Sequence, residues 1–128
     1  MRPSALRGAA RLLAAGRVAL GVAVLAAPER LTARWLGEQN ARLPAVADLA
    51  RGLAARDIAL GIAALQTLAD PVAGPRVQLA CALADGADVV GTILAREHLP
   101  RRGAAATVAV AGLAAFAGAW TARGLARA

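Results

Sequence analysis

Two aspartates stand one helical turn apart inside a segment that otherwise looks oil-soluble. The run Gln78-Leu-Ala-Cys81-Ala-Leu-Ala-Asp85-Gly-Ala-Asp88-Val-Val-Gly-Thr92 places its polar residues at 78, 81, 85, 88 and 92. Steps of three and four put all five on one stripe of an α-helix. Paired carboxylates in a poorly hydrated setting can accept a proton, hold a solute, or neutralise a cation on a neighbouring segment. The cations available at comparable depth are Arg17 and Arg56, and Asp57 adds a third carboxylate beside them. Other chemistry is thinly supplied. Ser4 is the only serine, His98 and Cys81 are each alone, and no Gly-rich phosphate loop or metal-ligand cluster occurs. The expectation is a protein that is not an enzyme, with no cofactor and no metal.

Composition sets the solvent in which those charges must live. Of 128 residues, 59% are hydrophobic and 18% charged, and the aromatics are Trp35, Phe116 and Trp120. A soluble domain of this length usually carries more charge and more large core residues. The charges also gather between apolar runs, which favours an integral membrane protein over a soluble helical bundle. Net charge is +7, all fixed side-chain cations being arginine. No dense basic run or aromatic platform accompanies that charge, so nucleic acid is not an expected partner. Contact with anionic lipid headgroups is.

The elements that must position the charges follow from apolar runs and breakers. A basic flank (Arg2, Arg7, Arg11) leads into a first helix, about 8–27, closed by Pro28. This stretch also resembles a secretory signal with Val24-Leu-Ala26 at its end, but Arg17 splits its apolar centre, so an uncleaved spanning helix is the expectation for residues 1–26. Residues 28–36 predict a short amphipathic interfacial helix, with proline at its start, Glu29 at the positive end of its dipole and Trp35 as a headgroup anchor. Glu38–Pro44 reads as a polar loop. A second long helix covers about 45–69. Asp70-Pro71-Val-Ala-Gly74-Pro75 is a turn, and the third and fourth helices follow at about 76–99 and 104–125. Each is long enough for a bilayer core, which takes about 20 residues.

Small residues should bring these helices together, because lipid supplies no hydrophobic drive for it. The expected seams are Ala10, Ala14, Arg17, Gly21 and Val24 on the first helix, and Gly52, Arg56, Ala59, Ala63 and Gln66 on the second. The fourth offers Thr107, Ala111, Ala114, Gly118 and Thr121. Val18-Ala-Leu-Gly21-Val-Ala-Val-Leu25 echoes Ile58-Ala-Leu-Gly61-Ile-Ala-Ala-Leu65, each preceded by a charge; in so restricted an alphabet, coincidence accounts for it at least as well as duplication. An unpaired charge at mid-bilayer costs about 3 kcal/mol or more. Arg17 and Arg56 are therefore expected to meet Asp57, Asp85 and Asp88 in a buried ionic cluster, with Arg51, Gln66, Gln78 and Thr92 as accessory groups. Such a cluster can be a clasp that fixes helix register, or the lining of a polar cavity for a solute, proton or headgroup. Both readings use the same residues.

The run Arg51-Gly-Leu-Ala-Ala-Arg56-Asp57-Ile-Ala-Leu-Gly61, with Ala84-Asp85-Gly-Ala-Asp88 on the next helix, resembles a family of small uncharacterised four-helix membrane proteins of actinobacteria, loosely similar to DoxX-like proteins. Arg17 with Gly21, Arg56-Asp57 with Gly61, and Asp85 with Asp88 carry the likeness, which spans nearly the whole chain. Ala55 departs from the glycine that pattern has before its Arg-Asp pair. The resemblance implies a four-helix membrane fold and no particular activity.

The expected architecture is therefore all-α: one domain over 1–128, an up-down antiparallel four-helix transmembrane bundle with one interfacial helix, multi-pass in the cell membrane. Arginine counts of six and seven on the two sides leave its orientation open. The expected role is a non-enzymatic accessory or assembly subunit, touching lipid and either a second copy or a larger membrane complex. The alternative is a small transporter or proton-coupled carrier that uses Asp85 and Asp88.

Overall fold

A computed structural model describes residues 3–127; Arg2 of the basic flank lies outside them. The described chain is helical apart from short connections, with no strand. In order it forms α1 (Pro3–Ala26), α2 (Pro28–Leu36), α3 (Glu38–Ala41), α4 (Pro44–Thr67), α5 (Ala73–Leu94), a single 3-10 turn (Arg96–His98) and α6 (Arg101–Leu125). Three helical segments, Ser4–Ala26, Ala73–Leu94 and Arg101–Leu125, are long and apolar enough to cross a membrane. The second of the four expected spans is not among these three. Helix α4 has the length, but Asp48, Arg51, Arg56 and Asp57 interrupt its apolar run.

Local chemistry explains the helix ends. Pro28 and Pro44 each occupy the first turn of a helix, where a missing N–H costs nothing. Between α2 and α3 the chain turns at Gly37, whose φ of 87° lies in the left-handed region that side chains disfavour. The expected polar loop at 38–44 is partly wound into the one turn of α3. Helix α5 begins three residues earlier than its prolines suggested. Asp70 Oδ1 accepts hydrogen bonds from the amides of Ala73 (2.7 Å) and Val72 (2.8 Å), which starts the helix, and Pro75 is tolerated inside the first turn. These two amides, that of Ala73 foremost, hold the exposed Asp70 carboxyl below its ordinary value of 3.8. The helix stops at Leu94, short of the expected 99, and His98 is exposed in the following turn.

Helices α1 and α4 form one tight pair, and α5 and α6 the other. The α1–α4 crossing is reciprocal. A methyl group on Gly21 would stand 2.7 Å from the Ala54 carbonyl oxygen and 2.7 Å from Ile58 Cγ1; one on Gly61 would stand 2.9 Å from the Ala14 carbonyl oxygen and 2.6 Å from Val18 Cγ2. Ala14 and Ala54, Val18 and Ile58, Gly21 and Gly61 are each forty residues apart. The two copies of the sequence echo thus pack on one another about a local two-fold, running in opposite directions. Arg17 and Asp57 are also forty apart, and they meet across that axis.

The face of α4 differs from the expected one. Its buried residues are Ala47, Ala50, Ala54, Gly61 and Ala64, while Gly52, Ala59 and Gln66 of the expected seam are exposed. Alanine on every side of α4 leaves periodicity unable to choose a face; the glycine contacts and the Arg17–Asp57 pair choose it. In the second hairpin, Gly118 of α6 lies on Ala82 of α5, and a methyl there would approach the Ala82 Cβ to 3.1 Å. Helix α2 crosses the start of α6, where a methyl on Gly103 would come within 2.5 Å of the Trp35 carbonyl oxygen. The half-buried Trp35 side chain lines the cavity described below, and its indole nitrogen is buried without a hydrogen-bond partner among the described residues.

Candidate functional site

The five charges named from the sequence come together near the middle of three helices. Arg17 of α1 donates to Asp57 of α4 at 2.8 Å and to the Cys81 carbonyl of α5 at 3.2 Å, and its second amino group lies 2.5 Å from Asp85 Oδ1. Arg56 of α4 forks onto both oxygens of Asp88, at 2.7 Å and 3.1 Å, and also donates from Nε and NH2 to its neighbour Asp57. Planar guanidinium groups suit such bidentate contacts, which are stronger and more directional than a lysine could make. The contacts tie α1 to α4, α1 to α5, and α4 to α5. They therefore lace the two hairpins to each other.

One part of the sequence expectation is corrected. The ion pairs are not fully buried: side-chain exposure runs from 10% at Arg17 to 30% at Arg56. The reason is a cavity of about 640 Å³ bounded by α1, α2, α4, α5 and α6, with all five charges in its wall. Its volume falls within the range of small-molecule sites. Arg34 of α2 is a sixth charge in the wall; most of the rest is apolar, with Leu12, Leu20 and Val110 exposed.

The accessory residues divide. Arg51 and Gln66 are exposed and line no part of the cavity. Thr92 is buried, but its hydroxyl is spent on the Asp88 backbone carbonyl at 2.8 Å. Gln78 is buried at 3% exposure and does line the cavity. Among the described residues nothing hydrogen-bonds to its amide. A scan of protein-family models and searches of curated proteins and of solved structures find no match to this chain.

Sequence reasoning missed several members of the wall. Thr107 belonged to an expected packing seam, yet it faces the cavity. Thr32, Thr67, Thr92 and Thr121 all bond the carbonyl four residues back, whereas Thr107 makes no such bond. Trp35 and Gly103, which also line it, had no signal beyond an amphipathic helix and a glycine after two arginines. Cys81 is a buried packing residue as expected of a lone thiol, its Sγ 3.7 Å from the Leu60 carbonyl, but its own carbonyl is an acceptor for Arg17.

The unused hydrogen-bonding capacity is uneven. Within the cluster two guanidinium groups face three carboxylates, and Arg34 of α2, also in the cavity wall, brings the count there to three of each. Asp57 Oδ1 takes three contacts and Asp85 Oδ1 one, while the second oxygen of each has no partner among the described residues. The cluster can thus hold the hairpins together and still offer acceptor atoms to the cavity.

Proposed function

We propose that this chain is a multi-pass membrane protein built as an up-down four-helix bundle, and that it serves as a non-enzymatic accessory or assembly subunit. Three apolar helices support the membrane location. The fourth crossing, by α4, is supported by the engagement of Arg56 and Asp57 with partners on α1 and α5, which lowers the cost of carrying them through lipid.

The observation that carries the assembly reading is a small-residue pair left unused. Gly21, Gly61 and Gly118 are consumed by packing within the chain, but Ala87 and Gly91 lie exposed on the outer side of α5, with open space around Gly91. Leu83 and Leu94 flank them at 67% and 80% exposure. In lipid, a small-xxx-small pair between large apolar residues lets a second helix approach closely. The test is purification from native membranes in mild detergent, comparing the natural chain with Gly91→Leu. A co-purifying membrane protein, or a second copy, should be lost in the variant while the helical content stays unchanged. Equal recovery from both proteins would remove the support for this reading.

A second reading, a small carrier, is favoured by the cavity against Asp85 and Asp88. Asp88→Asn in reconstituted vesicles separates the two: normal assembly with lost proton or solute flux favours transport.

A further inference from the structure

Counted over the whole cavity wall, three arginines balance three aspartates, so net charge selects no ligand; the placement of the charges does. All three acids belong to the cluster, where Arg17 and Arg56 engage them. Arg34 stands apart, with no ion pair among the described residues. A methyl on Gly103 of α6 would come within 2.7 Å of the Arg34 carbonyl oxygen, which fixes where α2 crosses. Farther along α6, Gly112 lies level with Val89 of α5, the neighbour of Asp88. From that level Thr107 is about 8 Å, and Gly103 about 14 Å, back along α6 at the helical rise. The wall around the crossing therefore has no acid of its own, but it holds donors in Arg34, Trp35 and Thr107. None of the three has an acceptor among the described residues. Trp35 Nε1 is buried in that condition, although groups so placed are normally hydrogen-bonded. Thr32, also in this section, has its hydroxyl spent on the Pro28 carbonyl at 2.7 Å.

We propose that this cavity binds an acyl chain, with the oxygens of its head held by Arg34 and Thr107 beside the Trp35 indole and its hydrocarbon lying along the aliphatic wall of α1 and α6. A fatty acid and a lipid ester share that chemistry: oxygens that accept hydrogen bonds, on an apolar tail. Leu20, Val24 and Val110 belong to the aliphatic wall, which runs along α6 from Gly103 to Gly118, about 22 Å at the helical rise. A protonated amine finds no acid at the crossing and is opposed by Arg34. Past the crossing the cluster's charges are engaged with one another, so the tail has no counter-charge to supply.

Trp35 reports on the site, and Trp120, 54% exposed and outside the wall, is removed by Trp120→Phe. In a nonionic maltoside micelle, cis-parinaric acid is titrated against this protein and energy transfer from Trp35 is followed. Transfer should saturate at about one probe per chain. Dodecanoate and methyl dodecanoate should displace the probe. At matched concentrations within the micelle, dodecylamine and dodecane should do so at least about tenfold more weakly. Arg34→Gln separates the two sources: a free acid loses about tenfold and falls to the level of the ester, whereas an ester is unaffected. Thr107→Val, which keeps the side-chain shape, should weaken both acyl competitors by about fivefold. Transfer that never saturates, or displacement by the amine or the alkane as strong as by both acyl competitors, overturns the proposal. Unchanged acyl affinity in both variants overturns the placement of the head. The comparison among competitors needs no variant within the cavity, and because it is read on the isolated protein, its failure is distinct from loss of a co-purifying partner.

Discussion

Helix α1 has two neighbours that run beside it, and it treats them differently. Against α4 it closes to backbone contact: Gly21 and Gly61 each receive the aliphatic side chain and the carbonyl of the opposite helix. Against α6 it touches at Leu6 and Gly124, and a cavity lined by both helices lies farther along. Both seams draw on the same alphabet of Ala, Val, Leu and Gly, so composition does not account for the difference. What differs is where the glycines fall. On the α4 side they sit opposite one another about a local two-fold, and Val18 and Ile58 fill the notches they leave. Near its start α1 meets α6, where a methyl on Gly124 would stand 2.8 Å from Leu6 Cδ2; farther along, Leu13, Arg17, Leu20 and Val24 line the cavity that has the charges in its wall. Close packing needs both a hole and the matching knob; small residues alone supply only the hole.

That comparison can be broken at its closed seam first. Gly61→Leu forces a branched side chain into space already held by Val18 and the Ala14 backbone. We expect the largest loss of stability here, about 3 kcal/mol or more, measured by unfolding in mixed micelles. Gly52→Ala, at an exposed helical glycine with nothing near its Cα, should instead stabilise α4 by about 0.5 kcal/mol. Similar losses at both glycines would mean that the crossing is not what holds α1 to α4.

The lacing between hairpins should rank next. Removing Arg56 leaves Asp88 without its bidentate partner, and a double-mutant cycle of Arg56→Leu with Asp88→Leu isolates their coupling. A value of about 1–2 kcal/mol is expected, below that of a fully buried pair because both side chains keep partial access to the cavity. A coupling near zero would make the cluster decoration on a bundle held by other contacts.

The smallest effect lies at the turn that joins the two hairpins. Asp70 has its carboxyl held low by the amides of Ala73 and Val72. A carboxyl depressed in the folded state contributes stability that is fully present above its unfolded value and disappears as pH falls through the folded one. Acidification below about 4 should therefore loosen the start of α5 slightly. Asp70→Asn keeps a capping oxygen and should flatten that part of the pH profile, read by amide exchange at Val72 and Ala73. An unchanged profile would place the acid sensitivity elsewhere.

Much of this was readable in the chain itself. Proline at a helix start fixes where α2 begins, since it cannot sit deeper without costing a hydrogen bond, and Pro44, expected as the last residue of a loop, does the same for α4. The spacing of Asp85 and Asp88 within an apolar run announces carboxylates on one face, and burial cost then demands cations from other helices. The beginning of α5 was less legible. Two prolines and a glycine look like a loop, and only the Asp70 cap shows that the helix has already started.

Residue types and spacing by themselves settled that the chain is helical, that it carries long apolar helices, four by expectation against the three that are apolar enough to cross a membrane, and which side chains had to find opposite charges. Which arginine meets which carboxylate, which face of α4 turns inward, and that a cavity opens beside the cluster were decided only by tertiary structure. The physical reason is the alphabet. When alanine covers every side of a helix, local sequence leaves its rotation nearly degenerate, and a few distant pairs, Gly21 with Ile58, Gly61 with Val18 and Arg17 with Asp57, select one rotation from many.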